Sequence, residues 1–143
     1  MRNRKVQCWI FAVGPSVPTP PMCLLLKTNE KRGAYWQPVT GTVEQHEGYY
    51  EAACREPFEE TAFSFESPPQ DIGYEFEFTS QYGVTKERVF ALKIENTETP
   101  KIDSKEHQDF QWIDPETALT LLKYPTNIEG LKRAYRFSFE KEL

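Results

Sequence analysis

Three glutamates, Glu56, Glu59 and Glu60, crowd into the run Arg55-Glu56-Pro57-Phe58-Glu59-Glu60. The surrounding stretch from Gly41 to Phe63 reads GTVEQHEGYYEAACREPFEETAF. Drawn as a helix from Gly48 to Thr61 at about 100° per residue, the three carboxylates share one arc with Tyr49 and Ala52. Tyr50, Cys54, Pro57 and Phe58 fall on the other side and are expected to enter the core. Like charges at this spacing weaken a helix by about 0.2–0.5 kcal/mol per pair. A helix that serves only as scaffold gains nothing from such a cluster. A hard divalent cation relieves it, because Mg²⁺ and Mn²⁺ take carboxylate oxygens and water as ligands. The chemistry that follows is electrostatic: a cation held there can shield an anionic substrate and lower the pKa of a bound water.

The positions of Gly41, Glu47, Arg55, Glu56, Glu59, Glu60 and Phe63 resemble the Nudix box. That pattern is Gly, five residues, Glu, seven residues, then Arg-Glu-apolar-any-Glu-Glu-any-Gly-apolar. Two positions depart from it. Pro57 stands in place of an aliphatic residue and Ala62 in place of glycine. Pro57 has no N–H for the carbonyl of Ala53, so a kink or local widening is expected there. The family glycine suits a left-handed turn, in which alanine costs about 1–2 kcal/mol. The resemblance extends beyond the box. Tyr35 to Glu44 is similar to the run before the box in bacterial dihydroneopterin triphosphate pyrophosphohydrolases. Glu106 to Ile113 is similar to a late Glu-His…Trp segment shared with diadenosine tetraphosphate hydrolases.

The resemblance implies a Nudix-type α/β/α sandwich with a mixed sheet, formed by residues 1–143 as one domain. It implies hydrolysis of a phosphoanhydride bond, with Mg²⁺ as cofactor and Mn²⁺ as its substitute. Glu56, Glu59 and Glu60 would be metal ligands, and Gly41 would let the backbone approach the metal or a phosphate. Arg55 and Glu47 would pair and orient the box, while Glu106 would be a second-ion ligand or the general base. The implied substrate is a small nucleotide or pterin polyphosphate: dihydroneopterin triphosphate or an NTP or dNTP. The alternatives are a dinucleoside polyphosphate hydrolase and a Nudix-fold binding module that has lost catalysis.

Outside the box the residues say less. Glu106 reads equally well as a solvated loop acid, and His46 and His107 as surface or strand-end residues. Lys27 and Arg32 could meet phosphates or water. Tyr35 and Tyr82, beside loops, are candidates to stack on a planar ring, whereas Trp9, Phe11, Trp36 and Trp112 suit the core.

The elements that must position these residues alternate between strand and helix. Lys5–Val13 and Met22–Lys27 read as strands, with a Pro-rich loop from Gly14 to Pro21 between them. Thr28–Gly33 is a polar turn and Gly41–Glu47 a loop before the box helix. Ser64–Asp71 is a loop. Tyr74, Phe76 and Phe78 alternate with Glu75, Glu77 and Thr79 as a half-buried strand, whose antiparallel partner is Arg88–Ile94 beyond a turn at Gln81–Thr85. Asn96–Lys105 is a loop and Asp109–Ile113 a strand. Asp114-Pro115 starts a helix to about Lys123, and Asn127 caps a last helix to Phe139.

A chain of 143 residues with 38% hydrophobic and 27% charged residues can bury a core of its own. Its net charge of −5 argues against nucleic-acid binding driven by bulk charge. Cys8, Cys23 and Cys54 form an odd set without a close pair. They suit buried small hydrophobes in a reducing compartment rather than disulfides or zinc. No apolar run reaches membrane-spanning length, and basic Met1–Lys5 leads into a strand rather than a signal peptide. The expectation is a cytoplasmic protein with no membrane partner; a homodimer is left open.

Overall fold

The computed structural model describes residues 3–17 and 21–143; the Pro18–Pro20 part of the Pro-rich loop and the first two residues of the basic Met1–Lys5 segment lie outside them. Seven strands form one mixed sheet: β1 (Arg4–Ala12), β2 (Met22–Thr28), β3 (Trp36–Gln37), β4 (Val39–Thr42), β5 (Gln70–Ser80), β6 (Gly83–Ile94) and β7 (His107–Ile113). Among the described residues three α-helices complete it: α1 (Tyr49–Thr61), α2 (Pro115–Leu121) and α3 (Pro125–Phe139). The order is that of the expected α/β sandwich.

β1 is the spine of the sheet. It runs parallel to β6 from Arg4↔Lys86 to Ala12↔Ile94, and β5 and β6 form the antiparallel hairpin read from the alternating aromatics. The hairpin turn is tighter than expected, since Ser80 pairs with Gly83 and leaves only Gln81 and Tyr82 between the strands. On its other side β1 meets β2 at one end only, through Phe11↔Cys23 and Ala12↔Met22. The two strands then part, and short strands take the vacated edges. β4 pairs with β1 from Lys5↔Thr42 to Cys8↔Val39, and β3 pairs with β2 at Leu26↔Gln37 and Lys27↔Trp36. β7 covers the far edge of β2. This parting of β1 and β2 brings the Thr40–Thr42 segment into the middle of the molecule.

Alternation along β1 divides the core between two layers. Val6, Cys8, Ile10 and Ala12 pack with Ala52 and Ala53 of α1. Trp9 and Phe11 pack with Ala118 of α2 and with Leu131, Ala134 and Tyr135 of α3. Cys8 and Cys23 are buried, as expected, but Cys54 is exposed on α1.

Several boundaries differ from the expected ones. Val39–Thr42 is a strand rather than the start of a loop, because β1 offers it a free edge. β5 begins at Gln70 and crosses an irregularity between Asp71 and Glu75. Asp114 caps α2, accepting from the Thr117 backbone N–H at 3.0 Å. The N-cap of α3 is Tyr124, with Pro125 in the first turn; Asn127 lies inside that turn and is buried.

Candidate active site

The box helix presents to the protein the face that carries its acids. Ala52, Ala53, Pro57 and Thr61 are the buried residues of α1. Tyr50 and Phe58, expected in the core, are 48% and 56% exposed. Glu56 and Glu60 share the inward arc, with side chains only 13% and 8% exposed, whereas Glu59 at its edge is 54% exposed. Small residues let the helix approach β4 closely, and bulky ones at those positions would hold it off. Larger apolar side chains therefore point outward.

The closest approach is at Gly41. A Cβ built there would stand 1.7 Å from Glu56 Oε2. Glycine at this point of β4 leaves room for the Glu56 carboxylate; the expected approach was of a metal or a phosphate, and the group seen there is Glu56.

Both departures from the box are absorbed locally. α1 runs as an α-helix from Tyr49 to Thr61 with Pro57 inside it. The Pro57 carbonyl accepts from Thr61 Oγ1 at 2.7 Å, and the same hydroxyl accepts from the Phe63 N–H at 3.0 Å. Ala62 adopts the left-handed conformation, φ 65°, and its N–H closes on the Phe58 carbonyl at 2.8 Å. The turn is thus the one glycine would make, held by Thr61.

Arg55 ties the box together. Its Nε donates to Glu47 Oε2 at 3.2 Å, and its Nη2 donates to the other oxygen of the same carboxylate and to the Thr42 carbonyl. Nη1 reaches Glu56 Oε1 at 2.7 Å and Glu59 Oε1 at 3.0 Å. The Arg55 hydrogen bond holds the Glu47 carboxyl below its ordinary pKa, and Glu47 in turn keeps the guanidinium charged. Glu47 also accepts from the Glu44 N–H, while Glu51 accepts from the N–H of Gly48 at the helix start. The guanidinium of Arg4 fixes the same loop through the carbonyls of Glu44 and Glu47.

A cavity of about 520 Å³ opens over these residues, walled by Thr40–Thr42, Arg55, Glu56, Glu59 and Glu60 on one side and by Arg32, Asp103, Glu106 and His107 on the other. Burial, then the neighbouring Glu56 charge, pushes the Glu60 carboxyl up to about 10. Burial also raises Glu56, opposed by its hydrogen bond with Glu60 and by Arg55. Glu60 Oε1 is buried and has no hydrogen-bond partner. An unpartnered buried carboxylate oxygen is costly in water-free surroundings, and a divalent cation is the ligand that its donor chemistry fits. Among the described residues no three acids, imidazoles or thiols already converge on a metal position.

Glu106 lines this cavity, 45% exposed, with Arg32 Nη1 3.5 Å from its Oε1. Its loop is anchored by its own N–H to the Asp103 carbonyl and by its carbonyl to the Asn29 N–H. His107, expected at the surface or a strand end, opens β7 and is 2% exposed. Its Nε2 lies 3.3 Å from Gln37 Nε2 and 3.9 Å from Glu60 Oε1, and burial lowers its pKa. A histidine opening a strand after a loop carried no sign of this burial; the sign is in the pairing of β7 with β2, which turns it under β3. Lys5, also unread in the sequence, lines the cavity from β1. Lys27 instead stands over the Trp36 ring, 5.8 Å from its centroid. Tyr82 is exposed at the β5–β6 turn, away from this cavity. No described helix is long and apolar enough to cross a membrane.

Residues 4–134 match the family described as NUDIX domain. The chain is 32% identical over 115 residues to an octanoyltransferase of Myxococcus xanthus, covering 78% of this chain but only 31% of the relative's length. It is 29% identical over 120 residues to the dihydroneopterin triphosphate diphosphatase of Haemophilus influenzae, covering 75% of this chain and 74% of that protein. The fold superposes on a Caenorhabditis elegans Ap4A hydrolase binary complex with a TM-score of 0.80 at 20% identity, covering 96% and 98% of the two chains. With its box intact in every charged position and assembled around one cavity, the chain belongs to the NUDIX family, whose hydrolases act on phosphoanhydride bonds.

Proposed function

We propose that this chain is a Mg²⁺-dependent pyrophosphohydrolase of a small nucleotide-like triphosphate, with dihydroneopterin triphosphate or an NTP or dNTP as the substrate class. The observation that carries this reading is the buried pair Glu56 and Glu60, one oxygen of which has no partner, at the floor of a cavity that cationic side chains also reach. Glu56, Glu59 and Glu60 would hold the ion, with the Gly41 backbone beside them. The ion, when bound, shields the phosphates and stabilises the charge that develops on the leaving group. Lys5 and Arg32 supply fixed positive charge to the phosphate chain. Arg55 and Glu47 hold the carboxylates in place and do not meet substrate. Glu106 takes the proton of the attacking water as its oxygen bonds to phosphorus and a P–O–P linkage breaks. Alternatively, Glu106 holds a second ion.

The likeness to the Haemophilus diphosphatase supports the triphosphate class. The likeness to the Ap4A hydrolase keeps dinucleoside polyphosphates as the second reading. The test is turnover of a panel of nucleoside and pterin triphosphates and dinucleoside polyphosphates with Mg²⁺ or Mn²⁺, identifying both products. Release of pyrophosphate and a monophosphate from a triphosphate is expected. Cleavage confined to dinucleoside polyphosphates would favour the second reading, and nucleotide binding without turnover would favour a binding module.

A further inference from the structure

A second cavity, about 480 Å³, adjoins the first, and Lys5 and Thr40 line both. Tyr35, Tyr124 and Phe78 give it aromatic walls, and Gln37, Asn127 and Glu87 give it polar atoms. The rings of Tyr35 and Tyr124 meet edge to face, 5.3 Å between centroids. This is the composition of a site for a planar heterocycle: aromatic surface with a few convergent polar groups.

Glu87 is the unusual member. It lies on β6 opposite Lys5 of β1, is 5% exposed, and has no part in the box. Its orientation is fixed from behind. Trp9 Nε1, which can only donate, gives its hydrogen to Gln7 Oε1 at 2.7 Å. The amide of Gln7 therefore turns its Nε2 toward Glu87, donating to Oε2 at 2.8 Å. α3 presses on this arrangement, since a Cβ at Gly130 would stand 1.9 Å from Gln7 Oε1. Among the described residues nothing else donates to the Glu87 carboxylate. Burial pushes this carboxyl above its ordinary range, with Lys5 and the Gln7 bond opposing. A buried acceptor with one bond made has room for N–H donors, and meeting them offsets its desolvation.

Resting on the reading of the first cavity as the phosphate site, we infer that Glu87 selects the base, taking heterocycles that present a ring N–H beside an exocyclic amino group. Guanine and pterin share that edge. A carboxylate accepts both hydrogens side by side. Adenine presents one acceptor and one amino group there, and its ring nitrogen would face the carboxylate oxygen. The shared wall of Lys5 and Thr40 lets the heterocycle lie in one cavity and the phosphates in the other.

The test uses two nucleosides and a pterin, which carry no phosphate and need no metal. Calorimetric titration of the whole chain with guanosine, neopterin and adenosine should give at least about tenfold tighter binding for the first two. Glu87→Gln offers one acceptor and one donor, which suits adenine, so the preference should collapse toward adenosine. Gln7 keeps an acceptor in that variant. Equal binding of guanosine and adenosine by the wild type, or binding of neither, overturns the inference; so does a Glu87→Gln protein that keeps the guanosine preference. Should that variant not fold, the wild-type comparison decides alone. Failure of hydrolysis with Mg²⁺ would instead strike the proposed activity while leaving the nucleoside preference unaffected.

Discussion

Glu56 occupies the space that a side chain at position 41 would fill, with its Oε2 1.7 Å from where a Cβ on Gly41 would stand. The nearest atoms are the carboxylate end of Glu56, whose other oxygen is held by Arg55. Gly41→Ala must therefore displace a group fixed on its far side. Overpacking of this kind costs about 1–3 kcal/mol, and the displaced carboxylate leaves the acid cluster. We expect a lower unfolding midpoint and at least about tenfold lower metal-dependent turnover. Wild-type turnover in Gly41→Ala would show that Glu56 can hold its role from another position.

Glu59 and Glu60 are neighbours in sequence and opposites in setting. Glu60 is buried with an unpartnered oxygen, and Glu59 is exposed and paired with Arg55. With its carboxyl pushed up to about 10, Glu60 must take up a proton to fold at neutral pH, and Glu60→Gln removes that cost without changing shape, so the metal-free protein should gain about 1–3 kcal/mol of stability. Glu59→Gln should change stability by less than about 1 kcal/mol, because its ion pair faces solvent. Both should lose about a hundredfold or more in turnover if both serve the ion. Denaturant unfolding without metal, paired with turnover at limiting Mg²⁺, separates the two effects. A destabilised Glu60→Gln, or full activity in either variant, would contradict this assignment.

The gathering of the acids with Arg55 was legible in the sequence because it depends on charged residues at fixed spacing. Arg55, Glu56, Glu59 and Glu60 line one cavity with Gly41, and Arg55 pairs with Glu47 as expected. The facing of the helix was less legible. Apolar Tyr50, Cys54 and Phe58 were expected inside, yet the inward face is built of alanines, Pro57, Thr61 and two glutamates. Hydrophobicity reports the core only where the packing partner is apolar and at ordinary distance. Here the partner is β4, whose four residues Val39–Thr42 include a glycine and two threonines and show no strand periodicity. The second cavity was less legible still. Tyr35 was singled out, but Glu87, Gln37 and Asn127 come from separate elements that only the folded chain brings together.

The end of the box helix gives a prediction about stability alone. Ala62 sits at φ 65° because the turn demands it. Ala62→Gly removes that strain, and a gain of up to about 1 kcal/mol is expected, reduced by the greater freedom of glycine in the unfolded chain. Pro57→Leu restores a backbone donor inside α1 and should also raise the midpoint, the proline penalty of about 3 kcal/mol being offset in part by the larger side chain at a buried position. Midpoints from thermal unfolding at fixed pH test both. A fall in Pro57→Leu would mean that the neighbouring residues are packed to the proline ring.

Glu87 makes a pH-dependent contribution whose sign follows from its burial. Its pKa is raised in the folded protein by desolvation, opposed by the Gln7 hydrogen bond and by Lys5. The native state therefore binds this proton more tightly than the unfolded chain does. Stability linked to the group is fully present below the unfolded glutamate value of about 4.3 and is lost as pH rises through the folded value. Glu87→Gln cannot titrate and carries no such term. The variant's stability relative to wild type should thus be greatest near neutrality and should shrink on acidification. Within the titration window the change is at most about 1.4 kcal/mol per pH unit. Measuring both proteins in denaturant at pH 5 and pH 7 isolates it, since every other group titrates alike in the two. A difference that stays constant or widens toward pH 5 would mean that the Glu87 carboxylate is stabilised in its charged form, and that its cavity already satisfies it without a ligand.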